Sequence, residues 1–286
     1  MIRNITEFID TIIRNLSKWP PKTIPWFRGE SGNKPALCPK IALYKYKANQ
    51  ENHLLQSFRR KAGGLGNVPF RKHIDMWLFL AQHYGVPTRL LDWTEGALMA
   101  LYFAINREKN NPRVYMLNPI KLNKFAGVKT RELNYPLSHG GTLAELWVKL
   151  AWQNREVGLD ETIQFLEGKL NKSQEKKEID LIKENLKKLK NLNMNIPIAF
   201  PAIYQDHRMI AQRSCFTIHG EELKPIKEIL IDNKIESSDC LVEYNIDAQE
   251  RSTMLKQLNV LGVSAATIFP DLDHLAKDLR FEIDNL

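Results

Sequence analysis

Leu80-Ala-Gln-His-Tyr-Gly-Val-Pro-Thr-Arg-Leu-Leu-Asp-Trp-Thr94 is the stretch from which the fold of this 286-residue chain is read. Gly85-Val-Pro87 is a turn signal, and the apolar run after it, Arg89 to Trp93, predicts a short buried strand. Ala97, Ala100, Leu101, Ala104 and Ile105 follow at helical spacing, so the strand feeds a helix at once. His83, Thr88, Arg89, Asp92, Trp93 and Thr94 crowd polar chemistry around that strand, where an unpaired buried group is costly. Such density favours a site over a solvated surface.

Working outward, Trp26-Phe-Arg-Gly-Glu30 lies upstream in a second short strand, read over Ile24 to Gly29 with Pro25 at its edge. Arg28 there offers a bidentate fork for phosphate, and Gly29 beside it is read as backbone that a ligand can approach closely. The alternative at Arg28 is a structural ion pair with Glu30 or Asp92. Ile5, Phe8, Ile9, Ile12, Ile13 and Leu16 form an amphipathic helix, with Asn4 and Glu7 spaced as a capping box. Further helices are expected over 44–60, 74–83, 141–152 and 247–258. Further strands are expected over 113–117, 197–203, 214–218 and 240–246. The run 260–273 is read as buried, with a short helix after it. Strands and helices not in strict alternation make the class α+β, a mixed β-sheet core flanked by helices. Ile179, Ile182, Leu186 and Leu189, set among many Lys and Glu, predict a coiled-coil-like helical hairpin inserted at 159–192 in one domain spanning 1–286.

Composition narrows the function classes. The chain carries a net charge of +8, with 43% hydrophobic and 26% charged residues. The charge suits an anionic nucleotide, a nucleic acid or an acidic partner without choosing among them. No run approaches the ~20 apolar residues that span a bilayer, so no membrane role is expected, and a cytoplasmic protein is. Three cysteines, widely separated, form neither a disulfide framework nor a zinc pattern, and His83, His139 and His207 lack nearby ligands, so no metal is expected. The glycine-rich loop 61–67 lacks the lysine and hydroxyl ending of a P-loop. A third cluster, Asp206-His-Arg208-x-x-x-Gln212-x-x-x-Phe216, puts Arg208 and Gln212 on one helical face before a strand.

Phe27-Arg28-Gly29, the long motif His83–Thr94, Arg208-x-x-x-Gln212-x-x-x-Phe216 and Thr267–Asp273 together resemble the FRG domain family. That family is named for its sequence motif and hands over no settled activity. The order of features is also similar to the ADP-ribosyltransferase fold: an early-strand arginine, a Ser/Thr-bearing strand entering a helix, and a late motif that usually carries glutamate.

This second resemblance implies NAD as substrate, with no metal. Arg28 and Gly29, helped by Thr88, Arg89 and Arg208, would hold phosphates or ribose. Tyr84 or Trp93 would stack on nicotinamide, and Thr94 would support the site. His83 and Asp92 are acid/base or charge-stabilising candidates, and Gln212 would bond the ribose 2′-hydroxyl. Gln212 departs from the pattern, which wants glutamate there. Three alternatives stand: Asp92 supplies the carboxylate, the amide suffices, or the site binds without turnover. The function implied is an NAD-using ADP-ribosyltransferase or glycohydrolase, of toxin or anti-phage defence type. It would have a protein or nucleic-acid acceptor and a neutralising partner protein. The alternatives are a silent nucleotide- or nucleic-acid-binding sensor and a metal-independent nuclease using His83 and His207.

Overall fold

In the computed structural model, residues 1–46, 48–65, 68–69, 74–107, 110–128, 168, 192–201, 204, 206–220 and 222–284 are described. The chain opens with α1 (Ile5–Leu16), which buries Ile5, Phe8 and Ile12; each such side chain contributes about 1.5–3 kcal/mol. Its cap is half a capping box. Asn4 Oδ1 accepts the Glu7 amide at 2.8 Å, but the Glu7 carboxylate takes the amide of Arg3 rather than that of Asn4. Then come β1 (Trp26–Glu30), α2 (Lys40–Leu43), α3 (Ala48–Ala62), α4 (Ile74–His83), β2 (Leu90–Thr94), α5 (Ala97–Ile105), β3 (Arg113–Leu117) and α6 (Pro119–Phe125). The second part holds β4 (Ile198–Pro201), α7 (His207–Ala211), β5 (Ser214–Ile218), α8 (Ile226–Asp232), β6 (Leu241–Asn245), α9 (Arg251–Val260), α10 (Ala265–Ile268) and α11 (Leu272–Ile283).

The class is α+β, and the sheet is antiparallel throughout rather than mixed, in the order β4-β5-β2-β1-β3-β6. Among the described residues the one parallel contact is an isolated bridge, Ile2 to Ile246. The three arginine-, aspartate- and serine-bearing strands lie side by side, as their polar clusters predict.

Pairing across the sheet is uneven. β1 meets β3, and β2 meets β5, at five registered positions each, whereas β1 meets β2 only at Phe27↔Thr94. The sheet is therefore two three-stranded halves joined at one point, and the strands part beyond it.

The core forms two clusters, one drawing on all six strands and the other on β1, β3 and β6 alone. Phe27, Val114 and Met116 pack with α1, α5 and α9; Leu91, Trp93, Phe200 and Phe216 pack with α4, α6 and α8. The run read as buried after Leu258 begins instead in solvent, with Val260 87% exposed. The 159–192 hairpin and the 141–152 helix lie outside the described residues, apart from Gly168 and Leu192.

Candidate functional site

The parting of β1 from β2 opens a cleft of about 460 Å³ lined from both halves, by Arg28 and Glu30 on one side and Asp92 and Phe216 on the other. Gln82 and His83 from α4, Arg208 and Gln212 from α7 and its end, and Phe269 complete its polar and aromatic wall. A volume of this order falls within the ~300–1,000 Å³ of small-molecule sites.

Arg28 bridges the parting. Its Nε donates to Glu30 Oε1 at 2.6 Å, and Nη1 donates to the Asp92 carbonyl at 2.6 Å and lies 3.8 Å from Asp92 Oδ2. Nη2 takes no partner among the described residues. Burial works against the charge, yet Glu30 and then Asp92 outweigh it and hold the Arg28 pKa above its ordinary value. The guanidinium is a fixed cation whose Nη2 edge is available to a phosphate oxygen.

Two carboxylates share the site unequally. Glu30 is 17% exposed and committed, through Oε1 to Arg28 and through Oε2 to the Leu37 amide. Asp92 is 53% exposed, and its Oδ2 accepts Gln82 Nε2 at 2.9 Å. Gln82 is oriented in turn by the Thr88 hydroxyl, which also accepts the Leu90 amide. Asp92 is thus the held but accessible carboxylate, with Oδ1 unbonded among the described residues.

At the other end, Gln212 closes α7 and donates Nε2 to the Ile268 carbonyl at 3.3 Å, leaving Oε1 as an acceptor. Arg208 lies over the Phe269 ring at 4.6 Å, and His274 stacks on the same ring. His83 pairs with Asp206, Nδ1 to Oδ2 at 3.2 Å, and not with His207 or Asp92. An imidazole held by a carboxylate has the arrangement of an oriented acid/base group. Among the described residues no hydrogen bond or ion pair joins His83 to His207, as the nuclease reading would want.

Several sequence candidates are bound into the scaffold, although Trp93 and Thr94 also line the cleft. Arg89 is buried at 2% exposure and forks onto Glu51, with Nη1 donating to the carbonyls of His219 and Gly220. It holds α3 against β2 and cannot reach a ligand. Thr88 is likewise buried and acts only through Gln82. Trp93 borders the cleft but is only 3% exposed, with its indole N–H donated to Thr217 Oγ1 at 3.0 Å. The Thr94 hydroxyl accepts the Gly96 amide and points its hydrogen at Met99 Sδ, shaping the turn into α5. Tyr84 is 70% exposed and does not line the cleft.

Gly29 needs its missing side chain for a different reason from the one expected. A Cβ there would stand 1.8 Å from the Ala100 carbonyl oxygen and 2.6 Å from the Ala104 nitrogen. The close neighbour is α5, and Gly29 also lines the cleft.

Glu30, Gln82, Asp206 and Phe269 join the site without having been named as site residues from the sequence. Only Glu30 carried a local signal, since residues two apart on a strand share a face with Arg28. Of the three cysteines, all buried and none in a disulfide, Cys38 lines the cleft, and burial pushes its thiol up to about 11, so it stays protonated at neutral pH. Among the described residues no group of three His, Cys, Asp or Glu is placed to hold a metal, and no helix is long and apolar enough to cross a membrane.

No curated protein and no solved structure matches the chain. A family match does exist, and it covers β1, α4, β2 and α5 while stopping short of Arg208, Gln212 and the 267–273 tail that the sequence resemblance also took in. Residues 24–113, with Arg28 and Asp92 among them, match the FRG domain.

Proposed function

We propose that the cleft binds NAD and breaks the bond between nicotinamide and ribose, passing the ADP-ribosyl group to a macromolecular acceptor or to water. The observation that carries this reading is the meeting of Arg28, Asp92 and Gln212 at one split in the sheet. It follows the order of features that the similarity to ADP-ribosyltransferases implies. In the reaction the C1′–N bond breaks, and both electrons leave with nicotinamide, whose ring nitrogen becomes neutral. A cationic ribosyl centre remains and takes a lone pair from the acceptor, which then loses a proton. Asp92 stabilises that cation, and His83, held by Asp206, takes the proton. Arg28 Nη2 holds phosphate, and Gln212 Oε1 accepts the ribose hydroxyl. The Arg208–Phe269 stack supplies a flat wall for a ring. An effector acting as a toxin or in defence against phage fits this chemistry, because loss of NAD or modification of a macromolecule halts a cell.

A second reading, a nucleotide-binding sensor without turnover, is favoured by the amide at position 212 and by the protein bonds Arg28 already makes. Nicotinamide release from NAD, measured with and without total RNA and cell protein as acceptors, separates the two. Asp92→Asn is expected to cut release by at least about tenfold, ~1.4 kcal/mol of barrier, with binding retained. Gln212→Glu is expected to raise it. No release from wild type or from Gln212→Glu, alongside measurable nucleotide binding, selects the sensor.

A further inference from the structure

A second groove, of about 1150 Å³, shares no lining residue with the cleft. Its wall is built from the end of α1 and residues 18–23, from α6, and from the edge strand β6 and its neighbour β3. Lys18, Lys22, Lys121, Lys124 and Lys227 line it against a single carboxylate, Glu243. That carboxylate is already met by Lys227 at 3.6 Å and Arg113 at 4.0 Å. The groove therefore carries a strong local excess of positive charge. Trp19 is half-buried and packed against the α1 core, so it offers a fixed aromatic surface among those lysines.

The loop that carries Lys18, Trp19 and Lys22 is constrained. Pro20-Pro21 limits its backbone, and Thr23 closes it through both its amide and its hydroxyl onto the Pro20 carbonyl. Lys22 stands at φ 69°, a left-handed conformation costing a non-glycine residue roughly 1–2 kcal/mol. Strain of that kind is tolerated where a side chain must be aimed.

We propose that this groove binds single-stranded nucleic acid, the lysines following the phosphates and Trp19 stacking a base. Lysine is depleted from protein–protein interfaces, whereas a lysine-lined groove with an aromatic platform is how sequence-tolerant strand binding is built. The concave wall suits a single strand, whose bases can turn inward, better than the convex surface of a duplex. The proposal stands on observations independent of the NAD reading.

The test is fluorescence anisotropy with labelled oligouridylate and oligothymidylate, against a duplex and poly-glutamate. The Lys18→Glu/Lys22→Glu/Lys124→Glu protein is compared with Lys61→Glu/Lys256→Glu/Lys277→Glu, which changes three exposed lysines outside the groove and lowers net charge equally. For single strands each phosphate contact contributes about 0.7 to the slope of log K against log salt. Losing three contacts should flatten the slope by about 2 and weaken binding about 50-fold at ~0.15 M salt, with the control near wild type. Melting curves of both variants establish that they are folded. Equal weakening by the two variants overturns the proposal, as does tighter binding of duplex or poly-glutamate, or no wild-type binding to either oligonucleotide.

Discussion

Gly29→Ala isolates the reason for the glycine that follows Arg28. The added Cβ would lie 1.8 Å from the Ala100 oxygen, and real contacts keep at least 3.0 Å, so α5 must retreat from β1 by about 1.2 Å. Both opposing atoms are backbone, so no side-chain rotation relieves the clash. Leu101 and Ile105 on α5 are fully buried, and a radial gap of ~1 Å forfeits up to about half of each atom pair's dispersion energy. Overpacking of this kind costs about 1–3 kcal/mol; with a rigid backbone on both sides, the upper end, about 3 kcal/mol, is expected. For a chain of this size that lowers Tm by roughly 6–12 °C. Urea denaturation followed by tryptophan fluorescence, together with thermal melting, reads the effect. Gly63→Ala is the matched control, because nothing lies within 4 Å of its added Cβ. If Gly29→Ala melts with Gly63→Ala and wild type, the helix contact does not explain the glycine, and ligand approach regains its claim on that position.

Arg28→Lys removes the fork that ties Glu30 to the Asp92 carbonyl; it should weaken NAD binding by calorimetry and cost about 1.5–3 kcal/mol of stability, the value of a charged hydrogen bond. Unchanged binding would remove Arg28 from the ligand site. Glu51→Gln leaves the buried Arg89 charge unpaired and should cost about 3–5 kcal/mol in urea titration, whereas Glu51→Leu/Arg89→Met should recover most of it. A double variant no more stable than the single one would contradict this account of the pair. His219 is fully buried; burial first, and the Arg89 charge second, lower its pKa to about 3. The unfolded chain binds this proton below ~6.5 and the folded chain only near 3, so stability should fall as pH is lowered across that window, by up to about 1.4 kcal/mol per pH unit. Urea midpoints from pH 7 to pH 4 measure it, and a His219→Asn protein showing the same pH slope would exclude His219 as the cause.

The Arg89 and Arg28 sites are equally rich in polar residues as sequence, yet one is scaffold and the other lines a cleft. Glu30, two residues on, holds Arg28 Nε, but the other contacts of the two guanidiniums are made far along the chain. Glu51 lies 38 residues before Arg89, and the Asp92 carbonyl 64 residues after Arg28, so each guanidinium's fate depends on which distant oxygen the fold delivers. Trp93 and Asp92 divide for a simpler reason. Successive strand residues face opposite ways, and the register against β5 and β1 determines which way is the core.

The sequence by itself determined where the strands and most helices lie, because apolar periodicity and Gly, Pro and Asn breaks act within a few residues. It also determined that three polar clusters converge, since strands bearing them had one sheet to join. The all-antiparallel order, the single ladder contact that splits the sheet, and the approach of α5 onto Gly29 were decided only in three dimensions. Strand pairing and helix docking are contacts between segments far apart in the chain, and their energies depend on the final packing rather than on any local preference.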